Sequence, residues 1–443
     1  MNATPPPGRA GAAPAAGPRA GTRTAETADP GPAAIAMPMS RPEFIALIAM
    51  MFATIAFSID AMLPALPEIG AELSPGDVNR AQLILTSFVL GMGVGTFVTG
   101  PLSDAFGRKP VIVAGALIYI AAAALAWVSR SLELVLVARV LQGLGAAGPR
   151  VVAVAIMRDL YSGRQMARLM SIAMMVFTIF PAFAPLIGAG IIALIDWRGI
   201  FLAFILFSLI TVIWTLARLP ESLPPERRRP VRPALLAQAV AEMLRHPTVR
   251  LSILVQTLCM AILFTMLTMV QPVYDVMFDR GAAFPVIFGA VALVSGSASL
   301  LNAAIVVRVG MRRIVTWSVG GQILLSGLML GLAAAGLPGP VLFAIFVGWQ
   351  ACVFFMAGTT LGNLNAIAME PMGHIAGMAA SLMGALSTVG AALIAAPLGL
   401  LFDGTLVPMA AGILVLSALA FALMLRMARI EGRAVPSAVP PAA

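Results

Sequence analysis

The chain has 443 residues, 60% of them hydrophobic and only 11% charged, whereas an average soluble domain carries about 25% charged residues. Its net charge of +9 comes from arginines placed between apolar segments, with no long basic run interleaved with aromatics, which argues against nucleic-acid binding. Two cysteines in apolar runs (Cys259, Cys352) and two histidines (His246, His374) argue against a disulfide framework and a histidine-based metal centre.

Residues 1–42 are rich in Pro, Ala, Gly and Arg, and they lack both an apolar core and the h-region of a secretory signal. A disordered cytoplasmic arm is expected there. Met37 and Met39 sit just before the first apolar run, so the true start is Met1, Met37 or Met39.

From residue 43 onward, apolar runs of helical length recur near 44–66, 80–101, 110–128, 132–156, 167–193 and 199–218. They resume near 249–274, 283–306, 313–335, 340–362, 374–400 and 405–427. Each is near the ~20 residues that a bilayer requires. The expected fold is an all-α membrane protein with twelve transmembrane helices in two pseudo-symmetric halves of six. The expected division is 43–218 for the first half, 219–248 for a cytoplasmic linker, 249–427 for the second half and 428–443 for a cytoplasmic tail.

Arginine placement sets the expected orientation. With the N-terminus inside, the inner loops hold Arg108, Lys109, Arg158, Arg164, Arg168, the run Arg227-Arg228-Arg229, Arg312, Arg313 and others. The outer loops hold only Arg80, Arg130, Arg198 and Arg280. Both termini are therefore expected in the cytoplasm. Within the linker, Pro233–His246 reads as a short helix with apolar Leu235, Leu236, Val240, Met243 and Leu244. It either lies along the inner membrane surface or packs on the protein.

The most polar joint is Gly100-Pro-Leu-Ser-Asp104-Ala-Phe-Gly107-Arg108-Lys109-Pro110, between spans two and three. Asp104 is expected just after one helix, Arg108 and Lys109 just before the next, and Gly107 can supply the backbone angle of a tight reversal. Gly310-Met-Arg312-Arg313 opens span nine as Gly107-Arg108-Lys109 opens span three. That echo suggests two related halves with a binding site between them.

Asp60 is the only carboxylate placed well inside an apolar run, and Arg139 and Arg150, both in span four, are its basic counterparts. A carboxylate at depth is costly, so Asp60 is a candidate proton carrier; the alternative is an early end to span one that leaves it interfacial. Asp60 and Arg139 lie at equal depth, about 10 Å below the outer surface, which permits a pair or a shared site. Arg150 is about 16 Å deeper and either faces the cavity or ties helices together. Gln142 follows Arg139 on nearly the same face. Gln256, Gln271, Asn302, Gln322, Gln350, Asn363 and Asn365 read as interhelical hydrogen-bonding groups. Gly143-Leu-Gly145-Ala-Ala-Gly148 matches the dinucleotide fingerprint literally but lies mid-helix. It reads as close helix packing, as do Gly91/Gly95, Gly327/Gly331 and Gly358/Gly362.

These residues resemble the major facilitator superfamily and, within it, the bicyclomycin/chloramphenicol resistance (Bcr/CflA) group of drug:proton antiporters. The 100–110 joint is similar to the superfamily's signature loop, departing at Ala105 where a basic residue is usual. Arg139-Val-Leu-Gln142-Gly143-Leu-Gly145 resembles the proton-coupling motif of span four, and Asp60-Ala-Met-Leu-Pro64 the acidic motif of span one. Ala184-Pro185-Leu-Ile-Gly188-Ala-Gly190 resembles the antiporter motif of span five, with Ala189 where a second glycine is common.

The resemblance implies the major facilitator fold and a monomeric secondary transporter of the bacterial inner membrane. It would export small amphipathic compounds against protons, without cofactor, metal or enzymatic activity. Asp60, Arg139, Gln142 and Arg150 are the expected coupling and cavity residues; Gly100, Asp104, Gly107, Arg108 and Lys109 form the expected inner gate. Pro185, Gly188 and Gly190 shape the antiporter-motif helix. One acid at depth predicts weak transport of dications. An exporter of one metabolite (an amino acid or sugar) or a sensor without flux are the alternatives.

Overall fold

The computed structural model describes residues 39–161, 163–335 and 337–434. The expected arm over 1–42 and the start-site question at Met1 and Met37 therefore fall almost wholly outside the described residues. Within them run twelve long helices: α1 (Arg41–Asp60), α2 (Leu83–Phe106), α3 (Arg108–Val128), α4 (Leu132–Leu160), α5 (Gly163–Leu194) and α6 (Gly199–Arg218) form one set. The second comprises α7 (Pro247–Pro272), α8 (Phe284–Val309), α9 (Met311–Ala334), α10 (Gly339–Met369), α11 (Ala376–Leu400) and α12 (Val407–Ala434).

Local chemistry sets the helix ends. Ser40 caps α1 by accepting from the Glu43 amide, while the Glu43 carboxylate accepts from the Ser40 amide, both at 3.3 Å. The first span is not one helix over 44–66. It stops at Asp60, passes through a short 3-10 turn at Leu63–Ala65 and resumes as Leu66–Leu73, because Pro64 and Pro67 cannot continue the hydrogen-bond ladder. Asp104 is likewise inside the last turn of α2, which runs through Pro101 to Phe106. Helices α4, α10 and α12 also outrun their apolar stretches, ending at Leu160, Met369 and Ala434. The backbone ladder continues into polar residues where hydropathy has stopped, so the first residues of the expected 428–443 tail are helical.

The two halves repeat one packing pattern. In the first, α4 packs on α2 and α3, α1 on α5, and α3 on α6. Six helices later, α10 packs on α8 and α9, α7 on α11, and α9 on α12. Across the molecule α2 meets α11 and α5 meets α8, a pair of contacts that exchange under the same six-helix shift. The joint glycines obey the repeat too: Gly107 (φ 104°) and Gly310 (φ 90°) both adopt backbone angles that side chains disfavour.

Small residues bring backbones together where a neighbour exists. Gly143 lies against the Phe88 carbonyl and Gly91 against that of Val140, fastening α2 to α4; Gly145 sits on the Gly115 carbonyl of α3. The fingerprint-like run is thus helix packing. Gly358 meets Ala298, but Gly331 and Gly362 are exposed with nothing near, and Gly327 only reaches Leu414 at 4.0 Å. The expected packing role fails at these three, because glycine spacing marks a face without saying whether a helix covers it. The linker helix (Pro233–Arg245) buries Ala239 and Met243 against the bundle and leaves Leu235 and Leu244 exposed, so one face packs on protein.

Candidate functional site

Asp60 ends α1, yet it is only 5% exposed. The early helix end does not leave it at a surface, because the turn and short helix that follow (Ala61, Met62, Leu63, Ala65, Leu66) are themselves buried. Among the described residues no hydrogen bond or ion pair reaches its carboxylate. Arg139 does not pair with it. Instead Nη2 of Arg139 donates to the Ser58 carbonyl (2.7 Å), Nε to the Ile84 carbonyl (3.2 Å) and Nη1 to Oε1 of Gln142 (2.7 Å). The guanidinium lies 4.4 Å from the Phe88 ring centroid and 5.9 Å from that of Phe204. Three oxygens and two ring faces offset the several kcal/mol that burying such a cation costs. Arg139 therefore braces α1, α2 and α4 two residues before Asp60, and the Ser58 hydroxyl is hydrogen-bonded to that of Tyr119 on α3 at 2.6 Å.

Helix α5 closes on the same point. Gly188 lies against the carbonyl of Ala61, and a side chain there would displace it. Pro185 sits inside α5 one turn earlier, whereas Gly190 has open space around it. Arg150 stands apart: half-buried on α4, its one polar contact among the described residues is Nη1 to the Met92 sulfur at 3.9 Å. In the second half Tyr274 donates to Gln350 (2.9 Å) and Asn363 to Asn302 (2.7 Å) between helices. Gln322 and Asn365 instead bond within their own helices. The side-chain carbonyls of Gln256 and Gln271 are buried without a partner among the described residues.

At the α2–α3 joint, Arg108 is 8% exposed and gathers three groups. Nη1 donates to Asp104 (2.6 Å) and Ser103 (2.7 Å), and Nε to Asp159 at the end of α4 (2.8 Å). The Lys109 ammonium donates to the Leu216 carbonyl near the end of α6, at 2.8 Å. Gly100 has no neighbour that a side chain would meet, but Gly107 does: the Glu221 carboxylate and the Arg228 guanidinium fill the space.

Glu221 was not legible in the sequence. Its carboxylate accepts from the backbone amides of Arg108 (2.9 Å) and Lys109 (3.1 Å), at the positive end of the α3 dipole. Ser222 bonds Asp159 (3.1 Å), and the Arg229 amide donates to the Asp104 carbonyl (2.9 Å), so the linker straps the joint. The available signal was position alone, an acid three residues past the end of α6.

The other half repeats the arrangement. Arg312, after Gly310, holds Glu370 at the end of α10 (2.8 Å) and Glu431 near the end of α12 (2.6 Å). At this end of the molecule Arg158 of α4 reaches Gly377 of α11, and at the opposite end Asn79 donates to the Phe402 carbonyl at 2.6 Å.

Comparison with known proteins agrees with this geometry. The Major Facilitator Superfamily profile matches residues 46–396. A bicyclomycin resistance protein homolog of Haemophilus influenzae is 30% identical over 336 residues, covering 74% of this chain and 81% of the relative. Multidrug resistance protein MdtL of Vibrio parahaemolyticus is 27% identical over 329 residues, covering 74% and 81%. Among solved structures, a D-xylose–proton symporter superposes with a TM-score of 0.69 at 13% identity, over 87% of this chain and 97% of the symporter. The chain belongs to the major facilitator superfamily, in its Bcr/CflA-type branch, and is a multi-pass membrane transporter of small molecules, not an enzyme.

Proposed function

We propose that this transporter exports small amphipathic compounds across the bacterial inner membrane in exchange for protons, with both termini in the cytoplasm. One observation carries the reading. Asp60 is the only carboxylate among the described residues that lies deep in a span, and it is buried with no partner to fix its charge. An acid held in that way is available to a proton in one state and to cargo in another. Arg139 holds the Ser58 carbonyl and Gly188 touches Ala61, so a change of charge at Asp60 bears on both α4 and α5. The proton gradient drives the cycle and no cofactor enters it.

Orientation follows from the excess of arginine at the end where Arg108 and Arg312 gather their carboxylates. These two clusters join helix ends within each half and serve as the inner gate. The names of the relatives, bicyclomycin and multidrug resistance proteins, support export of drug-like cargo over a single sugar or amino acid.

The test is substrate-induced pH change in energised everted vesicles, wild type beside Asp60→Asn, over a panel of amphipathic compounds. Proton release by some compounds in wild type alone supports antiport through Asp60. Silence of folded, inserted wild-type protein over the whole panel rejects drug:proton antiport and leaves a dedicated metabolite carrier or transport without proton coupling.

A further inference from the structure

Charge at depth is unbalanced in this molecule. Two arginines, Arg139 and Arg150, face one carboxylate, Asp60, and only Arg139 is provided for. The Arg150 guanidinium has five N–H donors. It finds one weak acceptor, the Met92 sulfur at 3.9 Å, and no carboxylate among the described residues pairs with it. Every acid of the chain except Glu26 and Asp29 is described. An arginine that ties helices together needs acceptors on the partner helix, and α2 offers Arg150 only that sulfur. Among the described residues, the helix-tying role lacks a partner.

Its surroundings point to a ligand of negative charge. Met92 adjoins Gly93, which leaves room for Val389 of α11 at the seam between the halves. Along that seam lie the hydroxyls of Thr96, one turn from Met92, and of Ser381 and Thr388 on α11. These hydroxyls donate to the Met92 carbonyl, the Thr96 carbonyl and the Met260 sulfur, and no carboxylate among the described residues is bonded to them. Arg150 is also half-buried where Arg139 is sealed, so it is open to an incoming group.

We infer that Arg150 receives an anionic group of the cargo, so that the preferred substrates are amphipathic molecules bearing a carboxylate. This deepens the export reading and rests on it. Asp60 then handles the proton and Arg150 the cargo's anion, about 16 Å apart along α4 if Arg139 marks the depth of Asp60.

The probes are phenylacetic, 3-phenylpropionic and 4-phenylbutyric acids with their neutral amides and matched amines. Binding is read as thermal stabilisation of purified wild type, Arg150→Gln and Arg150→Lys, and transport as proton release in everted vesicles. The expected result is that acids stabilise wild type more than amides or amines do. Arg150→Gln should bind acids roughly tenfold or more weakly, the loss expected for a charge-assisted hydrogen bond, with amides unchanged and Arg150→Lys intermediate. Absence of acid preference in wild type, or an acid-to-amide ratio in Arg150→Gln equal to that of wild type, overturns the inference. Acid-selective binding that depends on Arg150 without proton release would keep the anion site and sink antiport, so the two readings fail separately.

Discussion

Gly188 of α5 lies against the backbone carbonyl of Ala61, the residue that follows Asp60. A carbonyl in a packed turn cannot swing aside as a side chain tip can, so even one methyl forces the two helices apart. We expect Gly188→Ala to destabilise the purified protein by about 1–3 kcal/mol, in the range for overpacking, and to impair proton-coupled exchange. Gly190→Ala, in open space two residues on, should resemble wild type in both thermal unfolding and vesicle pH change. Equal effects from the two substitutions would show that the motif works by helix flexibility and not by this contact.

Arg139 tests a different element, the brace behind Asp60. Its fork spans the Ser58 and Ile84 carbonyls and Gln142, a reach that a lysine ammonium cannot reproduce. Arg139→Lys should therefore leave at least one acceptor unpaired, costing about 1–3 kcal/mol for each. It should also lose exchange although the charge is kept. Retention of full proton release in Arg139→Lys would reduce the residue to a charge at depth.

The fold was legible because apolar runs of bilayer length and the glycine–arginine echo at Gly107 and Gly310 both survive in one sequence. The site was legible where a costly residue advertises itself, as Asp60, Arg139 and Arg150 do inside apolar runs. What stayed hidden depends on three-dimensional neighbours. Glu221 sits in a polar linker where carboxylates are unremarked, and only the fold brings it to the α3 amides. Equal depth suggested that Asp60 and Arg139 could pair, but helix register turns the guanidinium onto backbone carbonyls instead. Gly331 and Gly362 show the converse, a motif with no neighbour to act on.

With Asp60 the one acid at depth among the described residues, a dication there would leave a positive charge uncompensated on the side of the molecule that already holds Arg139. Dicationic compounds such as paraquat should be transported weakly by wild type, and monocations and neutral compounds better. Asp60→Asn should abolish substrate-induced proton release for all of them. The measurement is vesicle pH change with charge-graded compounds at equal concentration. Efficient dication export that survives Asp60→Asn would sink the assignment.

At the α2–α3 joint, the proposed inner gate, Glu221 caps α3 as Glu370 and Glu431 receive Arg312 in the other half. Removing the carboxylate exposes two amide donors at a helix N-terminus, a loss of about 0.5–2 kcal/mol by analogy with N-cap truncation. In Glu221→Ala, hydrogen exchange at the Arg108 and Lys109 amides should accelerate, since these two donate directly to Glu221. Exchange around Gly310 should stay unchanged, because the Arg312 cluster draws on α9, Glu370 just past α10, Glu431 of α12 and Thr248 of α7, and on no residue of the strap around Glu221. Arg312→Gln should do the reverse, loosening the ends of α10 and α12 while leaving Arg108 and Lys109 protected. Unaltered protection at the α3 amides in Glu221→Ala would mean that the joint is held by the Arg108–Asp104–Asp159 cluster alone, with the linker strap contributing nothing to it.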